Sequence, residues 1–167
     1  AIANGAIDAT AIADNAIDYA TLAADAKLGV KYGTTATKSN ALDNGNVNLF
    51  DITGGHVAIH AIIGEVTTVC QAAAAATKLL FTSTATTDSS DLCATLDLNA
   101  YKDGALVGVD GTPATAMVGQ TACACNRPIV IDTGTIKANN AGAANTGVVQ
   151  WTVYYTPLTA GAAIAAA

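Results

Sequence analysis

The sequence predicts a mainly β protein: an antiparallel β-sandwich or jelly-roll-like body preceded by an extended N-terminal repeat arm. Three observations predict it. From Leu49 onward, short runs alternate apolar and polar residues; Gly, Asp, Asn, Ser and Thr separate these runs; and the first 25 residues repeat with a period of five. Alternation with period two is what a half-buried strand requires, because successive side chains leave opposite faces of the pleat. Several such strands divided by turn residues make an all-β sandwich or barrel.

The arm comes first. Ala1-Ile2, Ala6-Ile7, Ala11-Ile12 and Ala16-Ile17 recur in step, and Thr21-Leu22 continues them in degenerate form. On an α-helix a step of five residues advances about 140° beyond a full turn, so Ile2, Ile7, Ile12, Ile17 and Leu22 would scatter around the cylinder. A lone amphipathic helix is therefore disfavoured. Period five suits a pentapeptide coil, but so few units hardly complete one, and stacked repeats need neighbours to bury their faces. The segment is expected to work in an assembly, either as an arm whose isoleucines dock on another subunit or as a three-chain stalk; the alternative is a disordered Ala/Asp tail, which so regular an aliphatic spacing disfavours. Residues 26–48 carry Gly29, Gly33, Gly45 and a cluster of Thr, Ser and Asn, and read as a linker. The body is then residues 49–167.

Within the body, Gly54-Gly55 marks a turn, after which Val57, Ile59, Ala61 and Ile63 share one face and His56, Ala58 and His60 the other. Residues 72–76, all alanine, read as a bulged strand or a single helical turn, since alanine favours helix while the β-branched flanks favour strand. Leu92, Ala94, Leu96 and Leu98 alternate again. Asp103-Gly104 and Asp110-Gly111 are turn dipeptides bracketing a short strand through Leu106, Val107 and Val109. A strand over 129–136 and a loop over 139–147 lead to the main core strand, with Val149, Trp151, Val153 and Tyr155 inward and Gln150, Thr152 and Tyr154 outward. Pro157, which lacks a ladder donor, ends it. The expected core includes Val57, Ile59, Leu96, Val149, Trp151 and Val153.

Composition narrows the function. Apolar residues make up 51% of the chain but much of that is alanine, and aromatics are only 5%, so core area per residue is modest and oligomerisation is expected to compensate. Glu65 is the sole glutamate and Arg127 the sole arginine; the formal net charge is −6, which lacks the cationic footprint of phosphate binding and argues against a nucleic-acid partner. No apolar run approaches the ~18 residues of a membrane span, and the N-terminus shows no basic region followed by an apolar run, so neither a membrane partner nor a signal peptide is expected. Ala1 fits removal of an initiator methionine before a small residue, with synthesis in a cytoplasm. There Cys70, Cys93, Cys123 and Cys125 are expected as small buried hydrophobes rather than disulfides.

Sites of chemistry are sparse. His56 and His60 stand at the spacing that presents two metal ligands on a helix, but on a strand they lie roughly 13 Å apart and cannot share an ion within one chain; a metal would need a three-fold axis bringing one histidine from each of three chains together, and solvent-facing or interface histidines are expected instead. Cys123-Ala124-Cys125 has too short a spacing for a common zinc site, and no second pair follows at a suitable distance. Asp88, Asp91 and Asp97 fall in turns or on solvent faces, and Asp51 and Glu65 could act together only if the fold joined them. No catalytic residue, metal site or cofactor is expected.

The stretches Leu49-Phe50-Asp51-Ile52-Thr53-Gly54-Gly55-His56-Val57, Gly64-Glu65-Val66-Thr67-Thr68, Gly134-Thr135-Ile136 and Trp151-Thr152-Val153-Tyr154-Tyr155-Thr156-Pro157-Leu158 resemble, in this order, a family of tailed-phage virion structural proteins. The Ala-Ile repeat is similar to the leader of phage fibre and decoration proteins. The resemblance covers residues 49–167 and implies a virion component, most often trimeric; no catalytic motif comes with it. The expected function is a capsid decoration, or cement, protein: a homotrimer that binds and stabilises the major capsid protein shell on the virion surface through Ile2, Ile7, Ile12, Ile17 and Leu22. A tail or head fibre with a trimeric stalk and a receptor-binding tip, for which Tyr101 and Tyr154 are the candidate exposed aromatics, is the alternative. An enzyme acting on host glycans is a third reading, and it would need an acid pair in a cleft.

Overall fold

The computed structural model describes residues 34–167, except Ala72, Thr121, Ala122, Ala124, Asn126 and Ala143. The repeat arm, including Ile2, Ile7, Ile12, Ile17 and Leu22, lies outside the described residues. Among the described residues there is no helix; the chain runs through β1 (Thr34–Ala41), β2 (Gly45–Thr53), β3 (Val57–Thr68), β4 (Ala75–Ser83), β5 (Ser89–Asp91) and β6 (Leu96–Asp97). It continues through β7 (Leu106–Gly108), β8 (Val118–Gln120), β9 (Ile129–Ile131), β10 (Gly134–Gly142), β11 (Val148–Pro157) and β12 (Ala163–Ala166). Two antiparallel sheets result. Sheet A is ordered β1-β11-β3-β7-β8 with β9 also on β3, and sheet B is ordered β12-β2-β10-β4-β5 with β6 also on β4. Their inner faces meet around one apolar core, the arrangement of a β-sandwich.

Alternation drives this layering. In β11, Val149, Trp151, Val153 and Tyr155 are buried while Val148, Gln150, Thr152, Tyr154 and Thr156 are half-exposed on the outer face. Trp151 is fully buried because β3 offers a glycine opposite it: a Cβ on Gly64 would sit 2.8 Å from the Trp151 ring. The sheets are tied where β11 passes β12. The Tyr155 hydroxyl accepts from the Ile164 N–H at 3.0 Å and donates to the Ile164 carbonyl at 3.4 Å, satisfying backbone groups that would otherwise be orphaned in the core. At the same end the β2–β3 and β11–β12 crossovers lace together. Gly54, at φ +75°, is so close to Gly161 that a Cβ there would lie 2.3 Å from its carbonyl oxygen, and Leu158 N–H donates to the His56 carbonyl.

Several expected elements differ. The linker ends earlier than 48, because residues 34–41 form edge strand β1 paired along its length with β11, and β2 begins at Gly45. The alternating Thr, Lys and Asn of this stretch look like loop residues in isolation, yet edge strands carry such polar residues to avoid unwanted pairing. Lys38 is one such device: it sits on the inward side of β1 and donates to the Ala167 carbonyl beside β12. The loop over 139–147 is shorter, since β10 continues to Gly142 against β4. The strand over 129–136 is two strands, β9 in sheet A and β10 in sheet B, broken at Asp132-Thr133. Residues 92–98 make β6 and an isolated bridge from Ala94 to Ala116 rather than one strand, and Leu96 is partly buried at the sheet margin rather than central.

The most informative difference lies in β3. Val57 and Ile59 are buried, but Ala61 and Ile63 are not; Ile62, Gly64 and Val66 take the inward positions instead. Register shows the cause: Tyr155 pairs with Ile59 and Tyr154 with Ala61, so His60 is an extra residue. A β-bulge there inverts the phase of the strand from Ala61 to Val66, as one inserted residue must when the side-chain period is two, and a second irregularity follows at Thr67.

Candidate interaction face

The bulge puts an unusual set of residues on the outer face of sheet A. Register aligns Thr37, Thr152, Ile63, Gly108 and Val118 in one row across five strands, with Thr37 Oγ1 and Thr152 Oγ1 3.3 Å apart. The next row towards Pro157 is Thr35, Tyr154 and Ala61. Beyond the bulge, Thr156, Ala58 and Val130 align, and the His60 ring nitrogen Nε2 lies 2.8 Å from Thr156 Oγ1. On the other side the row is Ser39, Gln150, Glu65, Leu106 and Gln120. Two large apolar side chains stand out on these strands: Val130 is 61% exposed and Val118 43%.

Charge separates the two faces of the sandwich. Among the strand residues of sheet A, Lys38 points inward and Glu65 is the one carboxylate or ammonium that points outward. The strands of sheet B carry Asp51, Lys78, Asp91, Asp97 and Lys137 outward. Four of the five are held in polar contacts: Lys78 Nζ to Asp91 at 2.8 Å, Thr135 Oγ1 to Asp51 at 2.8 Å, and Asp97 accepting from Ala75 N–H and Asn99 N–H at 2.9 Å each. Sheet B therefore presents a solvated surface. The strands of sheet A present a β-branched, charge-poor one, and depletion of charge is what distinguishes the centre of a protein interface from ordinary surface.

The residues singled out for chemistry are dispersed. Asp51 and Glu65 project from opposite faces of the sandwich, so the fold does not join them. His56 lies 3.8 Å from Asp132 at a 59% exposed position, whereas His60 bonds Thr156; the two histidines have different partners. Among the described residues, no group of three or more His, Cys, Asp or Glu is placed to hold a metal. Cys70 and Cys93 are buried, Cys123 and Cys125 half-buried, and all four are free thiols. Burial pushes the Cys70 and Cys93 thiols up, and in Cys93 a bond from the Leu79 N–H at 3.2 Å partly opposes this. Burial also raises Cys125, with the neighbouring Cys123 adding to it. A shallow groove lined by Ile59, His60, Ala61, Val109, Arg127 and Ile129 follows the bulge. Of the expected core residues, Val57, Ile59, Val149, Trp151 and Val153 are buried and Leu96 only partly so. Tyr101, expected as an exposed aromatic, is instead buried; Tyr154 lies on the outer face of sheet A.

Half of the signal for this outer face is legible in the sequence: the alternate positions of residues 148–156 are Val, Gln, Thr, Tyr and Thr, none of them charged. The other half, Ala61 and Ile63, was hidden by the bulge. No protein-family model, curated protein or solved structure matches the chain.

Proposed function

We propose that this protein is a non-enzymatic virion component of a tailed phage, a capsid decoration protein that binds the major capsid protein shell as a homotrimer. The observation that carries the reading is the charge-poor outer face of sheet A on an otherwise acidic chain, a surface suited to a protein partner. The resemblance of residues 49–167 to virion proteins and the five-residue Ala-Ile repeat support it. So does the passage of the chain from sheet to sheet, β1 in A, β2 in B, β3 in A and β4 in B, which accords with a jelly-roll-like body.

In this reading the arm supplies adhesion. Burying several hundred Å² of its Ala and Ile surface on the shell contributes several kcal/mol at about 25 cal/mol per Å², before ordering costs. Three arms on one trimer then act together, so individually weak contacts hold the particle. The fibre alternative needs exposed aromatics at a tip, and burial of Tyr101 leaves it with Tyr154 alone of the two candidates.

Cryo-electron microscopy of intact virions tests the assignment: density for this chain is expected as regular copies on the capsid, and density confined to tail fibres would replace it with the fibre reading. Deleting residues 1–25 is expected to abolish binding to heads while sparing trimers. An arm-less trimer that still decorates heads would sink the adhesion mechanism.

A further inference from the structure

We propose that Asn44 is a site of spontaneous covalent modification, at which its side-chain amide cyclises onto the Gly45 nitrogen and is then hydrolysed to aspartate or isoaspartate. Asparagine is among the thermolabile residues, and the chemistry fixes what it needs. The Gly45 nitrogen attacks Cγ of Asn44 and a C–N bond closes a five-membered succinimide; the amide nitrogen departs as ammonia, taking up the proton that the Gly45 nitrogen gives up. Water then opens the ring at either carbonyl. Opening at one restores an ordinary main chain with an aspartate side chain; opening at the other gives isoaspartate, whose main chain runs through Cγ. Water is the one co-reactant. The step requires a following residue with no side chain in the way, a side-chain amide free to turn, and a backbone nitrogen that can leave its hydrogen bond.

The fold meets these requirements at Asn44. Asn44-Gly45 is the one Asn-Gly pair among the described residues, and Asn44 is exposed in the bend between β1 and β2. Among the described residues its side chain makes no hydrogen bond. Even a Cβ on Gly45 would meet nothing within 4 Å, so the path of attack is open. Register pairs Gly45 with Asn140, the terminal pair of β2 with β10, and the end of a ladder opens at the least cost. Other candidates are blocked. Asn40, Asn140 and Asn145 are buried. Asn46 accepts from Asn139 at 2.7 Å, and Asn46 and Asn48 lie within β2 before Val47 and Leu49, whose branched side chains crowd the nitrogen. Asp-Gly pairs can cyclise similarly with loss of water, but the Gly104 N–H is held by the Val66 carbonyl at 2.8 Å. Gly111 is packed so closely that a Cβ would lie 2.3 Å from the Arg127 carbonyl oxygen.

Either product adds a negative charge beside Asp43 to a chain of formal net charge −6. Isoaspartate does more. Leu42 is fixed, its N–H donating to the Gly147 carbonyl at 3.0 Å and its carbonyl accepting from the Asn145 N–H at 3.1 Å, while Gly45 is in β2. The extra main-chain atom therefore falls in the short span Asp43-Asn44 that carries the chain from sheet A to sheet B, and edge strand β1 is expected to loosen.

The test uses the full, folded chain, aged for weeks in mildly alkaline buffer made with heavy-oxygen water and then digested with trypsin. Peptide Ser39–Lys78 holds Asn40, Asn44, Asn46 and Asn48 together, so fragment masses compare them within one molecule. Asn44 is expected to convert several-fold faster than the other three and to take up one heavy oxygen; Asn44→Gln, which would have to form a six-membered ring, is expected to lose the conversion. An Asn44 that keeps its amide in the folded chain overturns the proposal, as does one that converts no faster than Asn46 and Asn48 or without heavy-oxygen uptake. In the isoaspartyl form, separated by ion exchange, amide hydrogen exchange in β1 is expected to be several-fold faster than in the unaged chain, and unchanged exchange would overturn the loosening of β1.

Discussion

Gly64→Ala separates two opposite expectations for one methyl group. On backbone grounds it should stabilise: Gly64 lies within β3, its φ is not in the left-handed region, and replacing such a glycine with alanine contributes about 0.4–1 kcal/mol through the unfolded chain. Packing opposes this. The new Cβ would lie 2.8 Å from Trp151 Cζ3, Val107 Cγ2 and Val149 Cγ1, and all three residues are fully buried. None of them can retreat towards solvent, and overpacking of this kind costs about 1–3 kcal/mol. Packing therefore wins, with a net loss of about 1–2 kcal/mol and a fall in Tm of roughly 3–8 °C for a domain of this size. Chemical denaturation monitored by circular dichroism in the strand band reads it directly, and serves equally for variants that lack Trp151, the sole tryptophan. The double variant Gly64→Ala/Trp151→Phe is expected to lose less than the sum of the two single variants, because the smaller ring removes one of the three close approaches. A Gly64→Ala protein as stable as the wild type, or more so, would refute the close packing of β3 against β11 at this position.

Three further outcomes follow from the core. Tyr155→Phe removes the hydroxyl that serves both the N–H and the carbonyl of Ile164; the two orphaned groups are expected to cost about 1–3 kcal/mol, and hydrogen exchange should accelerate in β12 before the rest of sheet B. Asn40 is buried with neither its side-chain nitrogen nor its oxygen bonded to protein, so Asn40→Leu is expected to be neutral or to raise stability by about 1–2 kcal/mol in a thermal melt; a loss above that would place a partner on the amide. Cys70 and Cys93 have thiols raised above their ordinary value of 9.0, so in the folded protein they keep their protons at a pH where the unfolded chain releases them. Their contribution is complete below pH 9 and is lost as pH rises through the raised values. Denaturation midpoints should fall above pH 9, and less steeply in Cys93→Ala.

Local pattern and long-range pairing divided the determination of this molecule between them. Period-two alternation by itself determined the β class, the inward set Val149, Trp151, Val153 and Tyr155, and the strand between the turn dipeptides at 103–104 and 110–111, because each depends on residues adjacent in the chain. The polar stretch at 34–41 could not be read as a strand, since its pairing partner β11 lies more than a hundred residues away and supplies what its own propensity lacks. Nor could the phase of β3 be read beyond His60. A bulge is a mismatch between two strands, here β3 and β11, and neither sequence alone contains it. The charge-poor face depends on both. Its uncharged residues are visible one strand at a time, but tertiary structure decided that they share a surface, that Asp51 and Glu65 stand on opposite sides, and that Tyr101 is buried, because only sheet order and register place residues distant in the chain beside one another.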